Sequence, residues 1–315
     1  MKRLQKWTAG IGVTCGFLLV IGVLVISWTF ATRLTSNPVS ARASLLERKP
    51  FYETTALLEH YQLPGGRELS LTTSDGFQLT ALYFPSQNGA AIIFQHGYKD
   101  IPTVMTGRAA MMVHKGYGAL IPSLRAHGTS DGELISMGHF EREDLKASYQ
   151  FLLEQPDVDP SKIGIYGVSM GGALAILHAA DNPGIAAVMV EGAYTSFQDT
   201  LTTTIPRLTG LPAFPFGVII LSMVEWRHDL DMDDLAPIHA VGRISPRPIL
   251  ILVGGADTVV DPQCGEQLYQ AAGEPRELWI EPELGHGTFA RDKPQALESR
   301  METFFGHYLL GVPVK

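Results

Sequence analysis

From Trp7 to Ala31 the chain is uncharged and mostly apolar, with Lys2, Arg3 and Lys6 ahead of it. A run of that length spans a bilayer as a helix, and Trp7 and Trp28 stand where interfacial aromatic residues belong. It exceeds the apolar core of a cleaved secretory peptide, and no small-x-small site closes it directly. Residues 1–32 therefore read as a cytoplasmic tip and an uncleaved signal anchor, with cleavage as the competing account. The basic residues before the span put the N-terminus in the cytoplasm and the rest of the chain outside; Arg33, Arg42, Arg48 and Lys49 on the far side argue against that orientation. Gly12 and Gly16 form a G-x-x-x-G pair, a spacing that dimerises some spans but that is also common in membrane helices.

Residues 33–50 show no sustained period and carry Ser, Asn and Pro among basic residues, as a linker does. From Phe51 to residue 315 short apolar runs alternate with helical patterns, the signature of a mostly parallel sheet covered on both faces. The first two strands, 68–73 and 77–84, flank Ser74-Asp75-Gly76, which predicts an antiparallel hairpin at the sheet edge. Buried-type strands follow at 91–95, 119–124, 163–166, 186–190, 248–253 and 277–280. Helical stripes run over 138–155, through Phe140, Leu145, Tyr149 and Leu152, and over 294–310, through Leu297, Met301, Phe304, Phe305 and Tyr308.

About fifty residues separate the strand ending near Glu191 from the one beginning near Pro248, far more than a simple loop needs. The apolar, proline-punctuated part of this stretch, about 199–235, reads as a small lid over a site or, alternatively, as packing against the body of the domain. The acidic run Asp229 to Asp234 lacks the glycine turn of a calcium loop and reads as solvated surface.

Composition narrows the function. A net charge of −8 without a basic cluster argues against a nucleic-acid partner. The two cysteines, Cys15 and Cys264, make neither a zinc spacing nor a disulfide framework.

The strongest chemical signal is Gly167-Val168-Ser169-Met170-Gly171, lying between a predicted strand and a helix-like stretch. A nucleophile on so tight a turn needs small neighbours, and the following helix N-terminus favours developing negative charge beside it. A serine hydroxyl also needs a base and a carboxylate that orients the base. In G-x-S-x-G enzymes these follow in the order acid, then histidine, each beyond a strand. Asp257 in Gly254-Gly255-Ala256-Asp257 and His286 in Gly285-His286-Gly287 occupy those places. Asp261 and Glu191 are rival acids, and His307, in the last helix, reads as packed there. His96-Gly97-Tyr98 follows another strand, so the amides of Tyr98 and Met170 are the candidate oxyanion donors and His96 reads as structural.

Together with the loop Arg125-Ala126-His127-Gly128-Thr129-Ser130, these motifs resemble the α/β-hydrolase superfamily, in the broad group of serine aminopeptidases, prolyl-oligopeptidase catalytic domains and similar esterases. The resemblance covers about Phe51 to the C-terminus and departs from the oligopeptidases in having no β-propeller and only a short lid. It implies a serine hydrolase with Ser169, His286 and Asp257 as triad, no cofactor and no metal, acting on a small-molecule ester or amide, and the apolar lid hints at a lipophilic acyl group. Ester hydrolysis is the leading expectation. A peptidase or amidase using the same triad, and a catalytically silent binding domain tethered to a membrane, are the alternatives.

Overall fold

The structure, a computed structural model, describes residues 2–42 and 66–313. The expected start of the folded domain at Phe51 and the linker beyond Arg42 lie outside them. Within them, eight strands form one sheet in the order β1-β2-β4-β3-β5-β6-β7-β8. The strands are β1 (Arg67–Thr72), β2 (Gln78–Phe84), β3 (Ala91–Gln95), β4 (Gly118–Pro122), β5 (Ile163–Val168), β6 (Ala187–Glu191), β7 (Ile249–Gly254) and β8 (Arg276–Glu281). β1 and β2 form the expected antiparallel edge hairpin, with Arg67 opposite Tyr83 and Thr72 opposite Gln78. From β4 onward the pairing is parallel.

β3, β4, β6 and β7 are buried along their whole length, which explains why they read as continuous apolar runs. Two cores result, one on each face. The first packs helices α3 (Glu141–Leu153), α4 (Met170–Asp181) and α7 (Pro262–Ala271), through residues such as Leu145, Leu174 and Leu268. The second packs α2 (Thr106–Val113) and α8 (Pro294–Leu310), through Met111, Met112, Met301 and Phe305.

Two further helices, α5 (Phe197–Thr209) and α6 (Ala213–His228), fill the long connection between β6 and β7. Ser196 caps α5 by accepting the Asp199 amide, and Gly210 ends it in a left-handed conformation. α6 carries apolar residues on all sides: Phe216, Ile220 and Val224 are buried, while Phe214 and Trp226 are each 77% exposed.

The N-terminal helix α1 (Lys2–Thr35) contains a segment, Thr14–Thr35, long and apolar enough to cross a membrane. Its last turns belong to the domain. Val23 and Phe30 pack on the first core, Ala31 and Leu34 are part of it, and Trp28 faces Trp226 of α6 at 6.5 Å. The described part of the stretch expected as a linker is bonded in place. Ile135 donates its amide to the Thr35 carbonyl, Asn37 Nδ2 donates to the Ala126 carbonyl, and buried Arg42 donates to the carbonyls of Ser130 and Gly132.

Candidate active site

β5 delivers the chain into a sharp turn at Ser169, whose backbone sits at φ 57°, ψ −123°, and α4 begins at the next residue. A non-glycine residue there is strained by about 1–3 kcal/mol, so the surroundings must hold it. They do so by close approach. A Cβ on Gly167 would lie 2.1 Å from the Gly171 carbonyl oxygen, and one on Gly171 would lie 2.4 Å from the carbonyl oxygens of Gln95 and His96. The Ser169 amide is fixed by donating to the Glu191 carbonyl at 2.8 Å.

His286 and Asp257 come from loops after β8 and β7. His286 Nδ1 and Asp257 Oδ2 are 2.6 Å apart, and Asp257 Oδ1 accepts the amides of Val259 and Val260 at 2.7 and 3.0 Å. A carboxylate held as acceptor on both oxygens requires the proton on Nδ1, which leaves the Nε2 lone pair of a neutral ring available. Gly192, just past β6, lies against the same imidazole: a Cβ there would be 3.2 Å from its Cε1. The sheet thus brings the Ser169 turn to the C-terminal end of β5 and the His286–Asp257 pair to the C-terminal ends of β8 and β7, with β6 between. The Ser169 hydroxyl bonds to no described residue. Such links often tighten only when substrate binds.

The rival residues have other partners. Asp261 caps α7 through the Gln263 amide at 2.9 Å. The Glu191 carboxylate, almost wholly buried, accepts from Arg108, from the Tyr166 hydroxyl at 2.6 Å and from the Phe289 amide at 3.2 Å. Arg108 also donates to the Gly287 carbonyl at 2.9 Å, so this buried cluster grips the loop just past His286, at Gly287 and Phe289. Burial opposes the Arg108 charge, but Glu191 raises its pKa above the ordinary value. Sequence reasoning weighed Glu191 only as an acid, because its partner is remote in the chain.

His96 Nε2 accepts the Leu124 amide at 3.1 Å, and His127 Nε2 accepts the Lys99 amide at 3.0 Å. Burial pushes His127 down to about 3, so it serves as a neutral acceptor. His307 Nδ1 lies 3.0 Å from the Val312 carbonyl, at the end of α8. The amides of Tyr98 and Met170 make no hydrogen bond to a described residue.

A cleft of about 430 Å³ opens at Ser169 and Met170. Phe197 and Leu201 of α5 and Val259 and Val260 of the Asp257 loop give it apolar walls, and Phe30 and Leu34 of α1 supply another. That last wall had no signal in the sequence, since a membrane-type run looks the same whether or not its end is docked. Tyr98 donates its hydroxyl to the Leu34 carbonyl at 2.7 Å, and Lys99 Nζ donates to the Arg33 carbonyl at 2.5 Å. Among the described residues, no group of three or more His, Cys, Asp or Glu is placed to hold a metal ion.

The sequence profile of the X-Pro dipeptidyl-peptidase (S15) family matches residues 43–214, a stretch that includes Ser169 and ends before Asp257. An uncharacterized Mycobacterium tuberculosis protein, Rv2307c, is 26% identical over 291 residues, covering 90% of this chain and 88% of its own length. The solved structure of the Pyrococcus furiosus esterase Pf2001 superposes with a TM-score of 0.67 at 21% identity, over 80% of this chain and 96% of that one. A puromycin hydrolase structure does so with a TM-score of 0.64 at 21% identity, over 79% of this chain and 40% of its own. With more than half its length inside the family match, on a sheet of the same architecture, the chain belongs to the X-Pro dipeptidyl-peptidase (S15) family and is a serine hydrolase of the α/β-hydrolase fold.

Proposed function

We propose that the protein hydrolyses a carboxylic ester through a triad of Ser169, His286 and Asp257, and the 2.6 Å approach of His286 Nδ1 to Asp257 Oδ2 is the observation that carries this reading. Ser169 Oγ attacks the ester carbonyl while its proton passes to His286 Nε2, and Asp257 stabilises the imidazolium. The tetrahedral oxyanion accepts hydrogen bonds from the amides of Tyr98 and Met170, each typically worth about 3 kcal/mol of barrier. As it collapses, the C–O bond to the alcohol breaks and the alcohol leaves with the proton held on His286. Water then adds to the acyl-enzyme with His286 again as base, releasing the acid and restoring Ser169. No step calls on a cofactor.

The family description favours a second reading, in which the same triad cleaves an amide. An exopeptidase needs a carboxylate to receive the substrate's α-ammonium group. Among the described residues the cleft lining contains Arg33, Lys99 and Arg207 and no acidic side chain, which supports an acyl ester over a peptide with a free N-terminus.

α1 anchors the protein as a single span, with the catalytic domain outside the cytoplasm and the α5–α6 pair as its lid. A fluorophosphonate probe should label wild-type protein and leave Ser169→Ala unlabelled, and a panel of acyl esters and aminoacyl amides should show faster ester turnover. Labelling of the Ser169→Ala protein equal to wild type would reject the triad. Preference for the amides would select the second reading.

A further inference from the structure

We infer that the substrate is a single-chain acyl ester bearing an anionic head group, taken from the membrane surface, and that α1 is a working wall of the site that receives it. The inference rests on the assignment of Ser169 as nucleophile and adds the class of molecule delivered to it.

The first observation is where the helix ends. At about 1.5 Å per residue, the 34 residues of α1 measure roughly 50 Å, whereas a hydrocarbon core is about 30 Å thick. A span closing at the interfacial Trp28 leaves Thr29 to Thr35 as nearly two turns outside the hydrocarbon. Those turns carry Phe30, Arg33 and Leu34, which line the cleft with Ser169. The α1 wall of the catalytic cleft therefore lies within about 10 Å of the hydrocarbon edge, at the level of the lipid headgroups.

α6 reinforces this placement. It runs beside α1, with Trp226 facing Trp28, Arg227 donating to Thr32 Oγ1 at 2.7 Å, and His228 Nε2 lying 3.2 Å from Thr35 Oγ1. Its outward residues Phe214, Val218 and Trp226 are exposed and apolar. A helix apolar all round, tied to a membrane span at one end, lies with its outer face in the interface. The lid then opens toward lipid.

The lining of the cleft defines the ligand. Its deeper walls, Phe197, Leu201, Val259 and Val260, suit an acyl chain. Arg33 and Arg207 are exposed at its edge and make no ion pair with a described residue, in a chain whose net charge is −8. Lys99 is the third cation, and no carboxylate among the described residues lines the cleft beside them. Tyr194, only 4% exposed, lines the same cleft, and its buried hydroxyl has no hydrogen-bond partner among the described residues. An apolar cleft with cationic residues in its lining and a buried donor unengaged among the described residues matches a fatty acyl ester whose alcohol carries a phosphate or similar anion.

The test uses the full chain in liposomes. Lysophosphatidylglycerol and lysophosphatidylcholine of the same acyl chain are compared by kcat/KM, with p-nitrophenyl butyrate and a fluorophosphonate probe as head-group-independent reports on Ser169. Wild type should prefer the anionic lipid by roughly tenfold, about what one or two charge-assisted contacts supply. R33Q/R207Q should bring that ratio close to one, and R33E/R207E should invert it. Probe labelling of each variant shows that it is folded, and the ratio is independent of how much active protein each preparation holds. A wild-type ratio near one, or a ratio that survives both double variants, overturns the inference while leaving the hydrolase assignment standing. Failure of wild type to label or to hydrolyse p-nitrophenyl butyrate removes both.

Discussion

Glu191 Oε2 receives Arg108 Nη2 and Nε at 2.8 and 3.0 Å, across 83 residues of chain and with both side chains almost wholly buried. Glu191 also holds the Ser169 amide through its main-chain carbonyl, and Arg108 holds the Gly287 carbonyl. One buried pair thus spaces the nucleophile turn from the histidine loop. Removing one partner of such a pair strands the other charge, at a cost of about 3–5 kcal/mol. Arg108→Gln should lower the thermal midpoint by many degrees and reduce kcat more than KM in the residual folded fraction, read by melting curves and ester kinetics. A melt unchanged from wild type would refute the structural weight given to the pair.

Strain at the nucleophile predicts an ordering of inactive variants. Ser169 holds a backbone conformation that glycine adopts freely and alanine does not. Relief of strain outweighs the extra freedom glycine has in the unfolded chain, so Ser169→Gly should be more stable than Ser169→Ala by about 1 kcal/mol, with neither labelled by the probe. Chemical denaturation of the two proteins decides it.

Tyr194→Phe separates stability from turnover. The buried hydroxyl has no partner among the described residues, so its removal should raise stability by about 1 kcal/mol. Its loss from the cleft should lower kcat/KM for the preferred lipid. A variant that is both less stable and equally active would contradict the assignment.

Buried histidines set a pH slope. Burial pushes His127 to about 3 and His178 to about 4, from an ordinary value of 6.5. Between pH 6.5 and those values the folded protein keeps both rings neutral, while the unfolded chain protonates them. Stability must therefore fall as pH drops through this window, by up to about 1.4 kcal/mol per pH unit for each ring. His178→Gln should flatten the slope between pH 6 and 4.5, measured by denaturation at a series of pH values, and a slope identical to wild type would show that the ring titrates normally.

Much of this molecule is legible from its residues because the physical signals are local. β5 and β7 are runs of buried residues ending in the small groups that the turns require, and Ser169 and Asp257 stand just beyond those ends; β8, which precedes His286, was expected to be buried but lies at the sheet edge and is only partly covered. The last helix, 294–310, has a single buried stripe and was readable to the residue. α2 is different. All eight of its residues, Thr106 to Val113, are buried, so it has no polar face and no period to detect. The segment holding Asn37 and Arg42 is likewise opaque, because side-chain bonds to distant backbone carbonyls hold it, and these leave no pattern in the sequence. The same holds for Glu191, whose role depends on a residue 83 positions away.

The hydrogen bond from Tyr98 to Leu34 limits how the chain can be re-engineered. Replacing the N-terminal helix with an unrelated anchor is harmless only if the junction lies before Val23, where contact with the body of the protein begins. A fusion made after Thr35, the obvious place on a domain diagram, would discard Phe30 and Leu34 and unmoor Tyr98 from its acceptor. The boundary between the interchangeable and the indispensable parts therefore runs through the middle of one continuous helix.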